Sequence, residues 1–277
     1  MRGFKLGMAG TGGALLLGFM VLLTLAGLVV MPHDPIALDF TQRLAAPSAA
    51  HWLGTDQFGR DVLSRVMLGG RGSLLVASLT VLLTVAIGLP FGALVAYVGG
   101  WFERLSMTVL DALLAFPSLL IALGIMAVIG PSTSGVVMAL TIAYTPGVVR
   151  VTRSVALSLR ETGFVQASEV LGWSTAHVVC RHVIPNCIAP IAVMGASLFA
   201  AALLAESALS FLGVGLPPPA PTWGGMLADG RPFLSEASWL SLFPGLAIAV
   251  SLLGCNLLGD ALRDRLDPRM RSAGGST

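Results

Sequence analysis

The chain has 277 residues, of which 55% are hydrophobic and only 11% are Asp, Glu, Lys or Arg, against roughly 25% charged residues in a soluble domain. The mean hydropathy of +0.86 has no place on a water-facing surface, and a net charge of +2 excludes a nucleic-acid binder working through a basic patch. Fifteen of the sixteen basic residues are Arg, and the lone Lys5 lies in no glycine loop, which excludes a P-loop ATPase and a Schiff-base enzyme. The composition is that of an integral membrane protein.

Catalytic patterns are missing as well. Cys180, Cys187 and Cys255 form no C-x-x-C and read as small apolar packing residues. His33, His51, His177 and His182 form no H-E-x-x-H. Neither a catalytic residue nor a metal site is expected.

A membrane span needs about 20 predominantly apolar residues. The first candidate runs from about Gly12 to Met31, after Arg2 and Lys5. A secretory signal peptide starts the same way, but its apolar region is only about 7–15 residues long and ends in a small-x-small cleavage site. An uncleaved first span is expected. Pro32 to about Gly72 is polar, and the second span covers Ser73 to Val98. A third is expected over Leu105–Ile129, with Asp111 and Pro117 inside it, and a fourth over Gly135–Val149. Charged and polar residues then punctuate the chain from Arg150 to Pro185. A fifth span fits Asn186–Leu212, a proline-rich loop follows at Leu216–Pro221, and a sixth fits Trp239–Leu258.

Six spans put both termini on one side. With that side inside, eleven Lys and Arg residues fall on inner segments and five on outer ones, which favours cytoplasmic termini.

The segment between the fourth and fifth spans suggests two short helices joined at Gly172. Phe164, Ala167, Val170 and Leu171 share a stripe on the first. Ser174 is placed to cap the second, and Ile184-Pro185-Asn186 is expected to turn the chain into the membrane. Physics alone leaves two readings open, a compact knob or an amphipathic helix resting on headgroups.

Gln166-Ala-Ser168, three further residues, Gly172, and a run ending in Ile184-Pro185 resemble the EAA loop of ABC importer permeases. Gln166 stands where Glu is typical and Ser168 where Ala is typical, so a salt bridge from position 166 to an ATPase is not expected. His51–Arg65, Asp111–Pro117, Glu206–Gly215, Pro221–Met226 and Gly259–Pro268 resemble further motifs of the dipeptide/oligopeptide/nickel permease family, second-permease (C-type) branch. The likeness runs in order from about Pro32 to Arg271.

The resemblance implies an all-α membrane protein with six transmembrane helices, EAA-type cytoplasmic coupling helices and the type I ABC importer permease fold. Residues 1–72 would hold the first helix and an extracytoplasmic loop. Residues 73–277 would form the permease core, with its coupling loop at about 150–185. Implied partners are a homologous second permease, two cytoplasmic ATPase subunits, an extracytoplasmic solute-binding protein and the bilayer, and no nucleic acid. No cofactor is expected on this chain, since ATP and magnesium would bind the ATPases. The implied location is the bacterial cytoplasmic (inner) membrane, and the implied cargo is di- or oligopeptides, or nickel and metal chelates. Gln166, Ala167, Ser168, Gly172, Ile184 and Pro185 would carry ATPase coupling.

Ionisable residues inside spans are functional candidates. Asp111 and Glu206 are expected either to pair structurally or to serve the pathway. Asp56, Arg60 and Asp61 of the first outer loop, and Trp223 of the later one, are candidate contacts for the binding protein. Scaffold packing or a stiff connector is the other reading for these loops. An ion-gradient-driven secondary transporter is the alternative function, although such carriers often show inverted repeats and midplane sites that this sequence lacks.

Overall fold

The computed structural model describes residues 7–266. Arg2, Lys5, Arg269 and Arg271 of the charge count, and the end of the Gly259–Pro268 motif, lie outside the described residues. Among the described residues ten α-helices follow one another: α1 (Met8–Ala26), α2 (Val62–Val98), α3 (Gly100–Leu114), α4 (Ser118–Ile129), α5 (Thr133–Arg160), α6 (Gly163–Val170), α7 (Thr175–Val178), α8 (Ile184–Phe211), α9 (Trp223–Gly230) and α10 (Trp239–Leu266). No strand occurs among the described residues beyond one isolated bridge, Thr55 to Asp61. Five helical segments are long and apolar enough to cross a membrane, and α3 with α4, bent by 89°, makes a sixth if counted as one broken span.

Counted that way the spans reach the expected six, but their shapes differ. α2 begins eleven residues before the expected Ser73, where Asp61 accepts a hydrogen bond from the Ser64 amide and caps the helix. Its 37 residues extend about 55 Å, far more than the roughly 30 Å hydrocarbon core. The first turns therefore belong to a cap beyond the membrane, where Val62, Val66 and Met67 are buried with Arg65.

The third span is broken rather than continuous. Pro117 disfavours helical geometry at Phe116, and α4 restarts with Leu120 and Ile121 donating to the Pro117 carbonyl. Two ion pairs, Asp111 to Arg150 and Glu103 to Arg153, tie α3 to α5.

α2 and α5 run parallel in close contact. A Cβ on Gly92 would stand 2.7 Å from Thr152 Cβ, so only glycine lets the backbones approach this far. Near its other end α2 meets α8, which runs the opposite way, with Ala77 and Ala202 in one buried cluster. α1 lies along α10, with Gly13 against Leu257, and the turn after α1 places Gly27 against Met67 of α2. α1 thus begins, and α10 ends, at the end of the bundle opposite the cap. Large apolar side chains face outward on α1 (Leu15, Phe19, Leu22), α2 (Leu82) and α4 (Leu120, Val128). That surface is matched to lipid, where every backbone group must be paired within the helix. Pro90, Pro146, Pro190 and Pro244 all sit inside helices.

Candidate coupling site and loop cap

At the end of the bundle away from the cap, α5 runs on past the expected Val149 to Arg160 and feeds α6 through a tight corner. Thr162 Oγ1 donates to the Leu159 carbonyl at 2.5 Å, while the Thr162 carbonyl accepts from the amides of Val165 and Gln166. One face of α6 turns inward. Val165 is fully buried with Ala93, Ala96, Tyr97, Val178, Val183 and Cys187, and Ser168, almost buried, donates to the Phe164 carbonyl at 2.8 Å. The other face is open. Phe164 is 47% exposed, Val170 88%, Leu171 75% and Trp173 47%, and Gln166 and Ala167 are exposed beside them.

Gly172 ends α6 with φ +77°. The Trp173 amide donates back to the Ser168 carbonyl at 3.3 Å, the six-to-one bond of a Schellman turn. Nothing lies within 4 Å of the place a Cβ would take at Gly172. The requirement for glycine there is backbone conformation, not space. Ser174 caps α7 as expected, its hydroxyl accepting from the His177 amide.

The expected turn at Ile184-Pro185-Asn186 does not occur. A π-helical segment, Val179–Val183, joins α7 to α8, so the helix runs unbroken from Thr175 to Phe211. The Ile184 amide reaches back to the Val179 carbonyl, and Asn186 Nδ2 donates to the His182 carbonyl at 2.6 Å. These contacts, with the wider turn, accommodate Pro185, which has no amide hydrogen to give. The second helix of the knob is therefore continuous with a membrane helix. Sequence reasoning missed the knob's aromatic cluster: the Trp173 and His177 ring centroids are 3.9 Å apart, and Phe164 meets His182 at 6.1 Å. The residues lie close along the chain, yet no spacing rule marks them as one group.

The cap at the opposite end is built on Asp56. Its Oδ1 accepts from the amides of Phe58 (2.8 Å) and Arg60 (3.0 Å), and its Oδ2 takes Arg60 Nε at 2.6 Å with Arg65 Nε at 3.4 Å. Trp239 Nε1 donates to the Thr55 carbonyl and Trp223 Nε1 to the Val66 carbonyl. Trp223 is wholly buried, and Asp56 and Asp61 are only 4% and 2% exposed. Their burial fits the scaffold-packing reading of these loops. Arg60 keeps partial exposure. At the rim, hydrogen bonds from Thr41 hold the Asp39 carboxyl below its ordinary pKa.

Glu206 is fully buried on α8 and accepts a hydrogen bond from Ser210 Oγ at 2.7 Å. Ser210 also lines a cavity of about 350 Å³ under the cap, together with Arg60, Arg65, Thr222 and Asp229. Asp111 is half exposed and paired with Arg150. The structure thus gives Asp111 a cationic partner and Glu206 hydroxyl partners.

Residues 88–272 match the family described as the binding-protein-dependent transport system inner membrane component. The chain is 44% identical over 265 residues to a protein of Brucella abortus named as a peptide transport system permease, which covers 95% of this chain and 88% of that one. It is 42% identical over 232 residues to the dipeptide transport system permease protein DppC of Alkalihalophilus pseudofirmus (84% and 76% covered). Against DdpC of Escherichia coli, named for D,D-dipeptide transport, identity is 37% over 262 residues (95% and 87%). Among solved structures, the MetNI methionine ABC transporter in an inward-facing form superposes with a TM-score of 0.59 at 14% identity, covering 72% of this chain and 94% of that one. That likeness shows a shared fold. Members of such a family work with a binding protein and an ATPase, and nothing in these likenesses favours an ion-gradient-driven carrier. The chain belongs to the binding-protein-dependent transport system inner membrane components, in the C-type peptide-permease branch, and is a multi-pass inner-membrane permease subunit of an ABC importer with the type I fold.

Proposed function

We propose that this chain forms one half of the passage of an ATP-driven importer of di- or oligopeptides, beside a second, homologous permease subunit. The observation that carries the reading is the open face of α6. Phe164, Val170, Leu171 and Trp173 project around a Gly172 turn, beyond the expected end of the membrane span. Large apolar groups clustered in that position call for a protein partner to cover them.

In this reading the partner is one of two cytoplasmic ATPase subunits, which bind the ATP and magnesium, and this chain holds no cofactor. Gln166, Ala167, Ser168 and Gly172 form the docking helix and its turn. Ile184 and Pro185 lie where the knob joins α8, so ATP-driven closure is transmitted directly into a membrane helix. The passage then switches from inward-open to outward-open by rocking of rigid elements. Both termini are cytoplasmic, supported by the excess of Lys and Arg on that side. The cap faces outward and receives a solute-binding protein through Arg60 and the exposed Trp52 and Phe58. Asp111 serves the interface between elements, and Glu206 borders the pathway beneath the cap. The relatives' names support peptides as cargo over nickel.

Two measurements test the reading. Purification of the tagged chain from its native membrane is expected to bring ATPase subunits in a fixed ratio, and a chain that transports alone in liposomes under an ion gradient overturns the proposal. Gly172→Val is expected to insert normally but to lose most transport-coupled ATP hydrolysis. The left-handed conformation costs a residue with a Cβ about 1–2 kcal/mol. Gly172→Asn, which tolerates positive φ, should keep most of the activity. Equal activity of the valine variant and wild type removes the coupling role.

A further inference from the structure

The loop cap gathers three metal-ligating side chains from the connection between α1 and α2. His33 follows α1, His51 lies in the middle of the loop, and Asp61 caps α2. One imidazole nitrogen from each histidine and one Asp61 carboxylate oxygen lie within 4.8 Å of one another. His51 Nδ1 stands 2.9 Å from Asp61 Oδ1, and His33 Nδ1 stands 3.6 Å from the same oxygen. The two rings lie side by side, centroids 4.5 Å apart and tilted by 33°.

We propose that His33, His51 and Asp61 form a site for a divalent transition-metal ion of the zinc class. With bonds of about 2.0–2.1 Å to a tetrahedral ion, neighbouring ligand atoms sit about 3.4 Å apart. The two nitrogen–oxygen separations, 2.9 and 3.6 Å, bracket that value. Two imidazoles with one carboxylate select zinc or a similar first-row ion over magnesium or calcium, which prefer all-oxygen shells.

The ligands are already held in place. Asp61 Oδ2 accepts from the Ser64 amide at 2.8 Å and from Ser64 Oγ at 2.7 Å, which turns Oδ1 toward the histidines. The His33 amide donates to the same Ser64 hydroxyl at 3.1 Å, and the His51 amide donates to Ser48 Oγ at 3.2 Å. Supporting hydrogen bonds of this kind orient the side chains that bind a metal. Exposure is graded across the site: Asp61 is 2% exposed, His51 15% and His33 42%. The ion is reached from the His33 side, and a fourth position is left for water or an incoming group. Its consequence is mechanical. A bound ion ties the end of the first helix, the loop and the start of α2 into one unit.

The test uses the full-length chain in nanodiscs, purified without a histidine tag and stripped of metal. Titration calorimetry with Zn²⁺ is expected to give one ion per chain, and Co²⁺ to give the intense visible bands of a four-coordinate site. His33→Ala, at a half-exposed position, should weaken Zn²⁺ binding by more than about 10-fold, since even outer-shell changes reach 10- to 100-fold. Asp61→Asn retains a good helix cap and should weaken binding similarly. The control replaces His177 and His182, the other close histidine pair, and is expected to bind as wild type does. No stoichiometric binding, undiminished binding by His33→Ala, or loss of binding in the control overturns the proposal.

Discussion

At the residue scale, Asp56 shows how charge is tolerated in so apolar a chain. Its carboxylate receives two backbone amides, Arg60 and Arg65, and both Asp56 and Arg65 are almost wholly buried. Removing one member of such a group leaves its partner desolvated and uncompensated, a loss of about 3–5 kcal/mol for a buried pair. Asp56→Ala is therefore expected to lower the thermal unfolding temperature in detergent markedly. Arg60→Ala, which removes a partly exposed partner, should cost much less. Equal effects of the two would show that the carboxylate is not the centre of the cap. Glu206 presents the opposite solution: a buried carboxyl among serine hydroxyls, with Ser210 as its near partner.

At the scale of elements, the contact between α2 and α5 depends on the absence of side chains. Val149 O and Thr152 Cβ each lie 2.7 Å from where a Gly92 Cβ would be. Gly92→Leu must push the two helices apart, and overpacking of this kind costs about 1–3 kcal/mol. The variant is expected to melt earlier than wild type, whereas Gly124→Leu on α4, with open space around it, should melt with it. A Gly92 variant of unchanged stability would mean that α2 and α5 do not pack this closely. The second element-level feature is the π-helical joint. By carrying Pro185 without a break, it makes α7 and α8 one rod, so displacement of α7 is passed on rather than absorbed in a turn at Pro185.

For the whole molecule, the direction of each helix places the start of α1 and the end of α10 together with the knob, opposite the cap. The three native cysteines test this arrangement in the membrane. Cys180 is exposed on the knob, while Cys187 and Cys255 are buried. A membrane-impermeant maleimide is expected to label Cys180 in inverted vesicles and to leave it unlabelled in intact spheroplasts. Labelling in spheroplasts would reverse the proposed orientation. Cys180→Ser should abolish the signal in inverted vesicles, since the other two thiols are covered.

Length and apolar runs were enough to read a multi-span membrane protein from the sequence, because hydropathy over about 20 residues is a local property that lipid reads directly. The ordered motifs, from His51–Arg65 to Gly259–Pro268, carried the family for the same reason: spacing along the chain is visible without a fold. What lay beyond them depended on contacts between distant residues. The polar stretch before Ser73 hid the first turns of α2, because Arg65 is made tolerable by Asp56 and Asp229, which only the fold brings against it. Trp223, in a stretch that reads as an exposed loop, is buried because Val66 offers it a carbonyl across the bundle. The bend at Pro117 was lost in a continuous apolar average, and the joint at Pro185 looked like a turn until the π segment was seen. The histidines stood apart at positions 33 and 51 and signalled no metal. Only tertiary structure brings both to Asp61, because convergence in space leaves no periodic trace in the chain.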